Sequence, residues 1–428
     1  MLAEKAIETL KGGVADKFIA DVLGIEKDRI EEYKARAAGA IENFCALYSA
    51  ERDISVFSVG GRSEISGNHT DHNGGRVIAA AVNLDIIAVA SMNNDGVVRV
   101  KSEGFDEDIV PLDTTGAPRE ERFFKSDALI AGVAHALNAR GYTLGGFDAY
   151  TTSNVIKGSG LSSSAAFEVM IGKIFSSFYC GGNVDTKEIA KSAQYAENVY
   201  FGKPCGLMDQ MGCAEGGLIT IDFSSPDPDV RKVDFDFSKS GLSLCITNTG
   251  SSHVDLNDDY ASVPAEMKQI ASHFGAKTLS CVDEEDVADN IPALREKFGD
   301  RAVMRALHFY EENKRVGRQV ASLEAGDTDE FLRLVRESGK SSFSYLQNVW
   351  STADVRSQGT SVALCLSDRF LAGRRGAARI QGGGFAGTIE AFIPTEDAAE
   401  YKKMMEKVFG EGSCHILFIR PSGAVKII

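Results

Sequence analysis

Gly158-Ser-Gly-Leu-Ser-Ser-Ser-Ala-Ala166 is the stretch that most narrows the folds open to this chain. It lies between a strand-like run, Phe147 to Val155, and a segment carrying Phe167, Val169, Met170, Ile171, Ile174, Phe175 and Phe178. Apolar residues nearly all round predict a helix buried on every side. A glycine-rich turn opening such a helix suits an anion. Gly158 and Gly160 let the backbone approach a phosphate, unpaired N–H groups point at it, and the helix dipole favours negative charge. Gly158, Ser159, Gly160, Leu161, Ser162, Ser163, Ser164 and Ala165 are therefore candidate phosphate-binding residues, and one serine hydroxyl can ligate a metal. The chain has no GxxxxGK[ST], so this is not a Walker A loop. Taken alone, the pattern fits a simple strand-to-helix turn equally well.

Upstream, residues 1–54 show helical periodicity with charged faces, as in Ile30 to Ile41, and predict two or three helices packed on the outside. Val56, Phe57 and Val59 predict a strand ending at Gly60-Gly61. Arg62 to Gly75 then reads as a polar loop dense in ionisable groups, with Arg62, Asn68, His69 and Asp71 between glycine pairs, which points to a pocket. Strands follow to about Val100, and Ser126 or Asp127 can cap a helix ending near Gly141. Asp185-Thr-Lys-Glu188 resembles a capping box for a helix that carries Glu197 and stops at Gly202. Asp209, an acid among apolar neighbours, fits a helix cap or, beside a phosphate loop, a base.

Asp222 to Val230, with Ser-Ser-Pro-Asp-Pro-Asp inside it, reads as an acidic linker and domain boundary. It separates an expected domain of residues 55–224 from one of residues 225–428. A chain of 428 residues exceeds one ordinary core, in keeping with two packed domains. Beyond the linker come a strand over Leu242 to Thr247, several helices between about 257 and 372, and the glycine cluster Gly382 to Gly387. A strand over Thr388 to Ile393 follows, and Cys414 to Ile419 is expected to be the closing strand. Three glycines in a row imply close approach by a ligand or another backbone.

A net charge of −15 argues against nucleic acid or an anionic membrane as partner, though not against a local nucleotide site. Eight scattered cysteines without CxxC spacing read as reduced thiols of a cytoplasmic protein. The polar N-terminus predicts no signal peptide. Val77 to Met92, broken by Asn83 and Asp85, is too short and polar for a membrane span and reads as paired strands.

Three of these segments, in this order and spacing, resemble the GHMP family of small-molecule kinases, and within it the galactokinase branch. They are Gly61-Arg62 through Gly67-Asn-His-Thr-Asp-His-Asn-Gly-Gly75, Gly158 to Ala166, and Gly382-Gly-Gly-Phe-Ala-Gly387; Ala196-Glu197 and Cys205 to Gln210 match a fourth. The resemblance runs from about 55 to 420. It implies a two-domain α+β fold of mixed sheets with helices packed on them and an active site in the interdomain cleft. It implies an ATP- and Mg²⁺-dependent kinase acting on the anomeric hydroxyl of a monosaccharide, galactose first among candidates. Asp209 would take the hydroxyl proton, and Arg62 would keep Asp209 ionised and stabilise the transferring phosphoryl group. Ser164 and Glu197 would hold Mg²⁺. Asn68, His69, Asp71, Gly206 and Tyr260 match sugar-contacting positions. A sugar sensor without turnover is the reading from another class, and retention of Arg62, Asp209 and the serine loop favours catalysis.

The chain also departs from that family. Asn68 stands where the family has Glu against the sugar's C6 hydroxyl, Glu64 where it has Asn, and His72 where it has Tyr. Ile156, Lys157 and Ala386 are further differences. Asn68 in place of an anionic acceptor makes a C6-oxidised sugar such as galacturonate an alternative substrate. A neutral C6 hydroxyl pairing with the amide remains the simpler reading. On this reading Asn68→Glu shifts specificity toward neutral galactose.

Overall fold

The computed structural model describes residues 1–156, 160–250 and 256–428. Strands β1 (Ser55–Ser66), β2 (Arg76–Met92), β3 (Val97–Ser102), β4 (Glu107–Pro111), β5 (Phe147–Ser153), β6 (Leu218–Asp222) and β7 (Asp229–Lys232) belong to one large sheet. Strands β8 (Leu242–Asn248), β9 (Ala377–Ile380), β10 (Thr388–Pro394) and β11 (Cys414–Leu417) form a second, antiparallel sheet in the order β11-β8-β10-β9. The last strand, β12 (Val425–Lys426), returns to pair with Phe57 and Ser58 of β1, so the larger sheet reads β12-β1-β2-β5-β3-β4 with β6 and β7 attached to β2.

Helices α1 (Ala3–Lys11), α2 (Gly13–Asp21) and α3 (Ile30–Leu47) cover one face of the large sheet. Helices α4 (Ser126–Ala139), α5 (Ser163–Tyr179), α6 (Thr186–Tyr195) and α7 (Met208–Glu215) cover the other. Strand β2 is one 17-residue strand rather than two, buried on both faces, which is why it reads as a continuous apolar run. Ile87 and Val89 point to the α1–α3 side, and Ile86, Ala88 and Ala90 to the α4–α7 side. Its one buried acid, Asp85, accepts from Tyr33 (3.0 Å) and Ser58 and pairs with Arg36 and, at 3.5 Å, Arg420. That hub ties α3 and the C-terminal segment to the sheet. Among the described residues no helix is long and apolar enough to cross a membrane.

After β8 come α8 (Asn257–His273), α9 (Glu284–Asp289), α10 (Ile291–Phe298), the 25-residue α11 (Asp300–Glu324), α12 (Thr328–Ser341), α13 (Gly359–Phe370) and, after β10, α14 (Ala398–Phe409). The main core does not stop at the large sheet. Val316, Val320, Phe331 and Phe392 from these later elements join it.

Several local expectations change. Strand β1 does not end at Gly60-Gly61 but runs to Ser66, with a register shift between Gly60 and Arg62. A Cβ on Gly60 would lie 2.6 Å from the Val82 carbonyl oxygen and one on Gly61 2.7 Å from that of Leu161, so the strand passes two backbones that only glycine admits. The polar residues beyond it stay in the strand because each finds a partner inside the protein. Helix α4 begins at Ser126, whose hydroxyl donates to Asp108 rather than capping the helix, and Asp127 makes no cap bond either. Asp185 does cap α6, accepting from the Lys187 N–H at 2.9 Å, while Glu188 accepts from Tyr142 instead of closing the box. The stretch 222–230 belongs to the β6–β7 hairpin, whose turn is residues 223–228. The closing strand is β12, since β11 stops at Leu417.

Candidate active site

Arg62, on β1, and Asp209, in the first turn of α7, are 147 positions apart and meet side chain to side chain. Arg62 Nε donates to Asp209 Oδ1 at 2.9 Å and a terminal guanidinium nitrogen donates to the same oxygen at 2.5 Å. Helix α7 can sit this close because it has glycine at 212, where a Cβ would be 2.9 Å from that of Arg62. The other oxygen of Asp209 accepts from the Ser162 hydroxyl at 2.5 Å. Ser162 adopts a left-handed conformation at the start of α5, a costly backbone state held where it reaches Asp209. Burial alone would raise the Asp209 pKa. The Arg62 charge and the Ser162 hydroxyl outweigh burial and hold the carboxyl below its usual range.

Arg62 also joins the phosphate loop. Its second terminal nitrogen donates to the Gly160 carbonyl at 2.6 Å, and its backbone N–H donates to Leu161 O at 3.1 Å. Gly160 has φ of +70°. The serine loop, the arginine and the acid thus form one cluster at the N-terminus of the buried helix α5, where Ala165 is fully buried and Ser163 and Ser164 are half-buried. Gly158 and Ser159 lie outside the described residues.

Glu197 sits in a π-helical turn over residues 196–200 that continues α6. Its Oε1 accepts from Ser164 Oγ at 3.0 Å and from Lys203 Nζ at 2.8 Å, and its Oε2 accepts from Gln210 Nε2 at 2.8 Å. The Gln210 nitrogen also reaches Glu168 Oε2 at 3.2 Å, while Glu168 Oε1 and Gln210 Oε1 are buried without a partner. Burial first, and then the Glu197 charge, push Glu168 well above the carboxylate range. No group of three or more His, Cys, Asp or Glu among the described residues is disposed to hold a metal. Ser164 and Glu197 instead supply two hard oxygen donors side by side. That set fits a cation completing its shell with water and phosphate oxygens.

The five expected sugar-contacting residues divide. Asp71 and Gly206 adjoin: a Cβ on Gly206 would fall 2.2 Å from Asp71 Oδ2. His69, Tyr260 and Asn68 all reach the third glycine segment. Asn68 Nδ2 donates to Gly382 O at 2.6 Å, His69 Nε2 to Gly383 O at 2.8 Å, and Tyr260 Oη to Gly384 O at 2.9 Å, so three side chains hold three successive carbonyls. A carbonyl only accepts, so His69 Nε2 carries the proton. Burial depresses the His69 pKa to about 4, which leaves Nδ1 as an acceptor.

Asn68, expected against the sugar's C6 hydroxyl, has its amide turned into the protein. It is fully buried. Its amide nitrogen also donates to Glu64 Oε1 at 3.0 Å, and its Oδ1 accepts from Asn348 at 2.7 Å and Ser342 at 3.3 Å. Every hydrogen-bonding position of the carboxamide is taken. Glu64 in turn pairs with the buried Arg379 at 2.8 Å. Asn68→Glu would set a second buried carboxylate against Glu64. We expect a stability loss of about 1–3 kcal/mol by urea unfolding, the order of a buried polar group left unmatched, in place of a clean specificity shift. A variant as stable as the parent would show that residue 68 turns toward open space.

Most of the residues that join the motifs to one another carry no functional signal of their own. Glu64 and Gln210 lie inside the matching segments without an assigned role and Lys203 lies close to one, but Glu168, Asn348, Arg379 and Glu390 read as ordinary helix, loop and strand residues.

An antiparallel second sheet closing over a helix-covered mixed sheet, with a serine loop at a buried helix N-terminus, is the architecture of the GHMP class of small-molecule kinases. The GHMP kinases N terminal domain model matches residues 128–217, and the galactokinase galactose-binding signature matches residues 42–92. A galactokinase of Streptomyces coelicolor is 32% identical over 379 residues, 87% of this chain and 93% of that protein. One from Glaesserella parasuis is 31% identical over 81% of this chain and 86% of its own length. The crystal structure of Lactococcus lactis galactokinase complexed with galactose superposes with a TM-score of 0.77 at 23% identity, covering 92% of this chain and all of that one. A mevalonate kinase has a TM-score of 0.59 at 15% identity, covering 85% of this chain and 99% of its own. The chain belongs to the galactokinase family.

Proposed function

We propose that this protein transfers the terminal phosphoryl group of ATP to the anomeric hydroxyl of galactose, giving galactose 1-phosphate. The observation that carries the reading is the Arg62–Asp209 pair lodged against the Gly160 carbonyl of the phosphate loop. The acceptor oxygen must lose its proton as the new bond forms, and Asp209, kept ionised by Arg62, is the base. The fixed guanidinium charge also stabilises negative charge on the phosphoryl oxygens. Loop backbone and hydroxyls from Gly160 to Ser164, with the preceding Gly158 and Ser159, bind the nucleotide phosphates. Asp71, His69 Nδ1 and the Gly206 backbone take sugar hydroxyls, with Tyr260 beside them and Asn68 acting from behind through Gly382. Ser164 and Glu197 are the residues for Mg²⁺, which when bound supplies charge neutralisation on the phosphates. The eight cysteines, all free thiols, suit a reducing compartment, and we place the enzyme in the cytoplasm.

A coupled ADP-release assay over a sugar panel tests this reading. Turnover of galactose with little on galacturonate is the expected result. Turnover of galacturonate alone, or galactose binding without ADP release, overturns it. A pH series adds a second check. His69 stays neutral well below the ordinary histidine value of about 6.5, so the galactose KM should hold level between about pH 5.5 and 8. A KM inflection near 6.5 that disappears in His69→Gln would show that His69 titrates normally and is not locked on Gly383.

A further inference from the structure

Gln381 stands at the end of β9, one residue before the glycine segment, and is 2% exposed. Its side-chain nitrogen donates to Ser63 Oγ at 3.0 Å and to Gly160 O at 3.3 Å. The Gly160 carbonyl can only accept, which fixes the sense of the amide: the nitrogen faces the phosphate loop, and the side-chain oxygen accepts from Thr388 Oγ1 at 2.7 Å. Its backbone N–H donates to Thr388 O at 3.2 Å. The Gly160 carbonyl is the one Arg62 also holds, at 2.6 Å. A Cβ on Gly160 would lie 2.8 Å from Gln381 Oε1 and 2.9 Å from Thr388 Oγ1, so the loop rests directly on this pair.

We propose that Gln381 is a positioning residue for phosphoryl transfer: it pins the Gly160 carbonyl from the second sheet and so sets the phosphate loop and the Arg62 guanidinium against each other. The inference rests on the kinase reading above. Three sequence motifs meet at this one amide: β1 through Ser63, the phosphate loop through Gly160, and the third glycine segment, which Gln381 opens. The next three carbonyls of that segment are the ones held by Asn68, His69 and Tyr260. Residues 381–384 therefore form a rigid strut from the sugar side to the phosphate side. Its head is a neutral side chain whose amide is engaged by Ser63, Gly160 and Thr388. Loss of the amide leaves Gly160 O held by Arg62 alone and lets the loop drift, and displacements of about 1 Å at a reacting centre cost as much as 10²-fold in rate.

Gln381→Met keeps the volume and removes the amide. The expected result is a kcat about 10- to 100-fold lower, a galactose KM changed by less than about threefold, and a loss of the thermal protection given by a non-hydrolysable ATP analogue. Thr388→Val frees the amide to turn, so it should lower kcat in the same direction by less. The double variant should be no worse than Gln381→Met, because both act through one strut. Wild-type turnover of galactose is measured first; its absence defeats the kinase reading, while analogue protection of wild type against Gln381→Met still tests the strut. Unchanged kcat and unchanged protection in Gln381→Met overturn the proposal. So does a loss of galactose affinity and melting temperature that accounts for the lost turnover, or full additivity of the two substitutions.

Discussion

Asp209→Asn lowers kcat by about 10²–10⁴-fold, the range that a positioned general base supplies, while the ATP analogue still binds. The carboxamide keeps the shape of the acid, and its oxygen still accepts from Arg62. What it loses is the ability to take a proton from the anomeric hydroxyl. Among the described residues its bonded neighbours offer no substitute: Ser162 is a donor to Asp209, and Glu197 is engaged by Ser164, Lys203 and Gln210. The substitution also leaves the buried Arg62 without its counter-charge, so the variant should be less stable. Turnover is therefore compared per folded, analogue-binding molecule. A decrease of less than tenfold on that basis would remove Asp209 as the base. The pH profile gives an independent reading. Because Arg62 and Ser162 hold Asp209 below the usual carboxylate range, wild-type kcat/KM should show no acid limb from this residue above about pH 4.

How far the sequence reaches is visible in this cluster. Local patterns marked each contributor: glycine before Arg62, a serine run at the head of an apolar helix, an acid among apolar neighbours in α7. Each of those patterns records a local cost, such as close backbone approach or helix burial, and such costs are legible one segment at a time. The helices and most strands followed for the same reason, since periodicity reports the buried face. The run of β1 beyond Gly61 is not legible in sequence because polar residues in a strand look like a loop until their partners are known. Those partners, Asp209, Gln381 and Arg379, come from elements more than a hundred positions away. Asn68 shows the same limit. The family resemblance sets it against the sugar's C6 hydroxyl, but only its bonds to Glu64, Ser342, Asn348 and Gly382 reveal that the amide is consumed inside the protein. The hairpin over 222–230 is hidden for a different reason. Prolines and acids mark a turn without saying whether the strands on either side belong to one sheet.

Arg379→Met is expected to have the largest effect on stability. The guanidinium is fully buried, pairs with Glu64 at 2.8 Å and Glu390 at 3.3 Å, and donates to the Ile65 carbonyl at 2.9 Å. It joins β9 of the second sheet to β1 of the first. Removing it leaves two buried carboxylates without the cation they pair with, and breaking a buried pair in this way costs about 3–5 kcal/mol, measured by urea unfolding at pH 8. The sign of the pH dependence follows from Glu390. Burial raises it to about 8 even with Arg379 present, so the folded state binds its proton more tightly than the unfolded chain does. Its contribution is fully present below the unfolded carboxylate value of about 4.3 and is lost as pH rises through about 8. Without Arg379 both carboxylates rise further, and protonation relieves their repulsion. The deficit of Arg379→Met should therefore shrink steadily from pH 8 to pH 5. A deficit that stays constant over that interval, or falls below about 1 kcal/mol at pH 8, would mean that water reaches Glu64 and Glu390 and that the two sheets are joined by apolar contact alone.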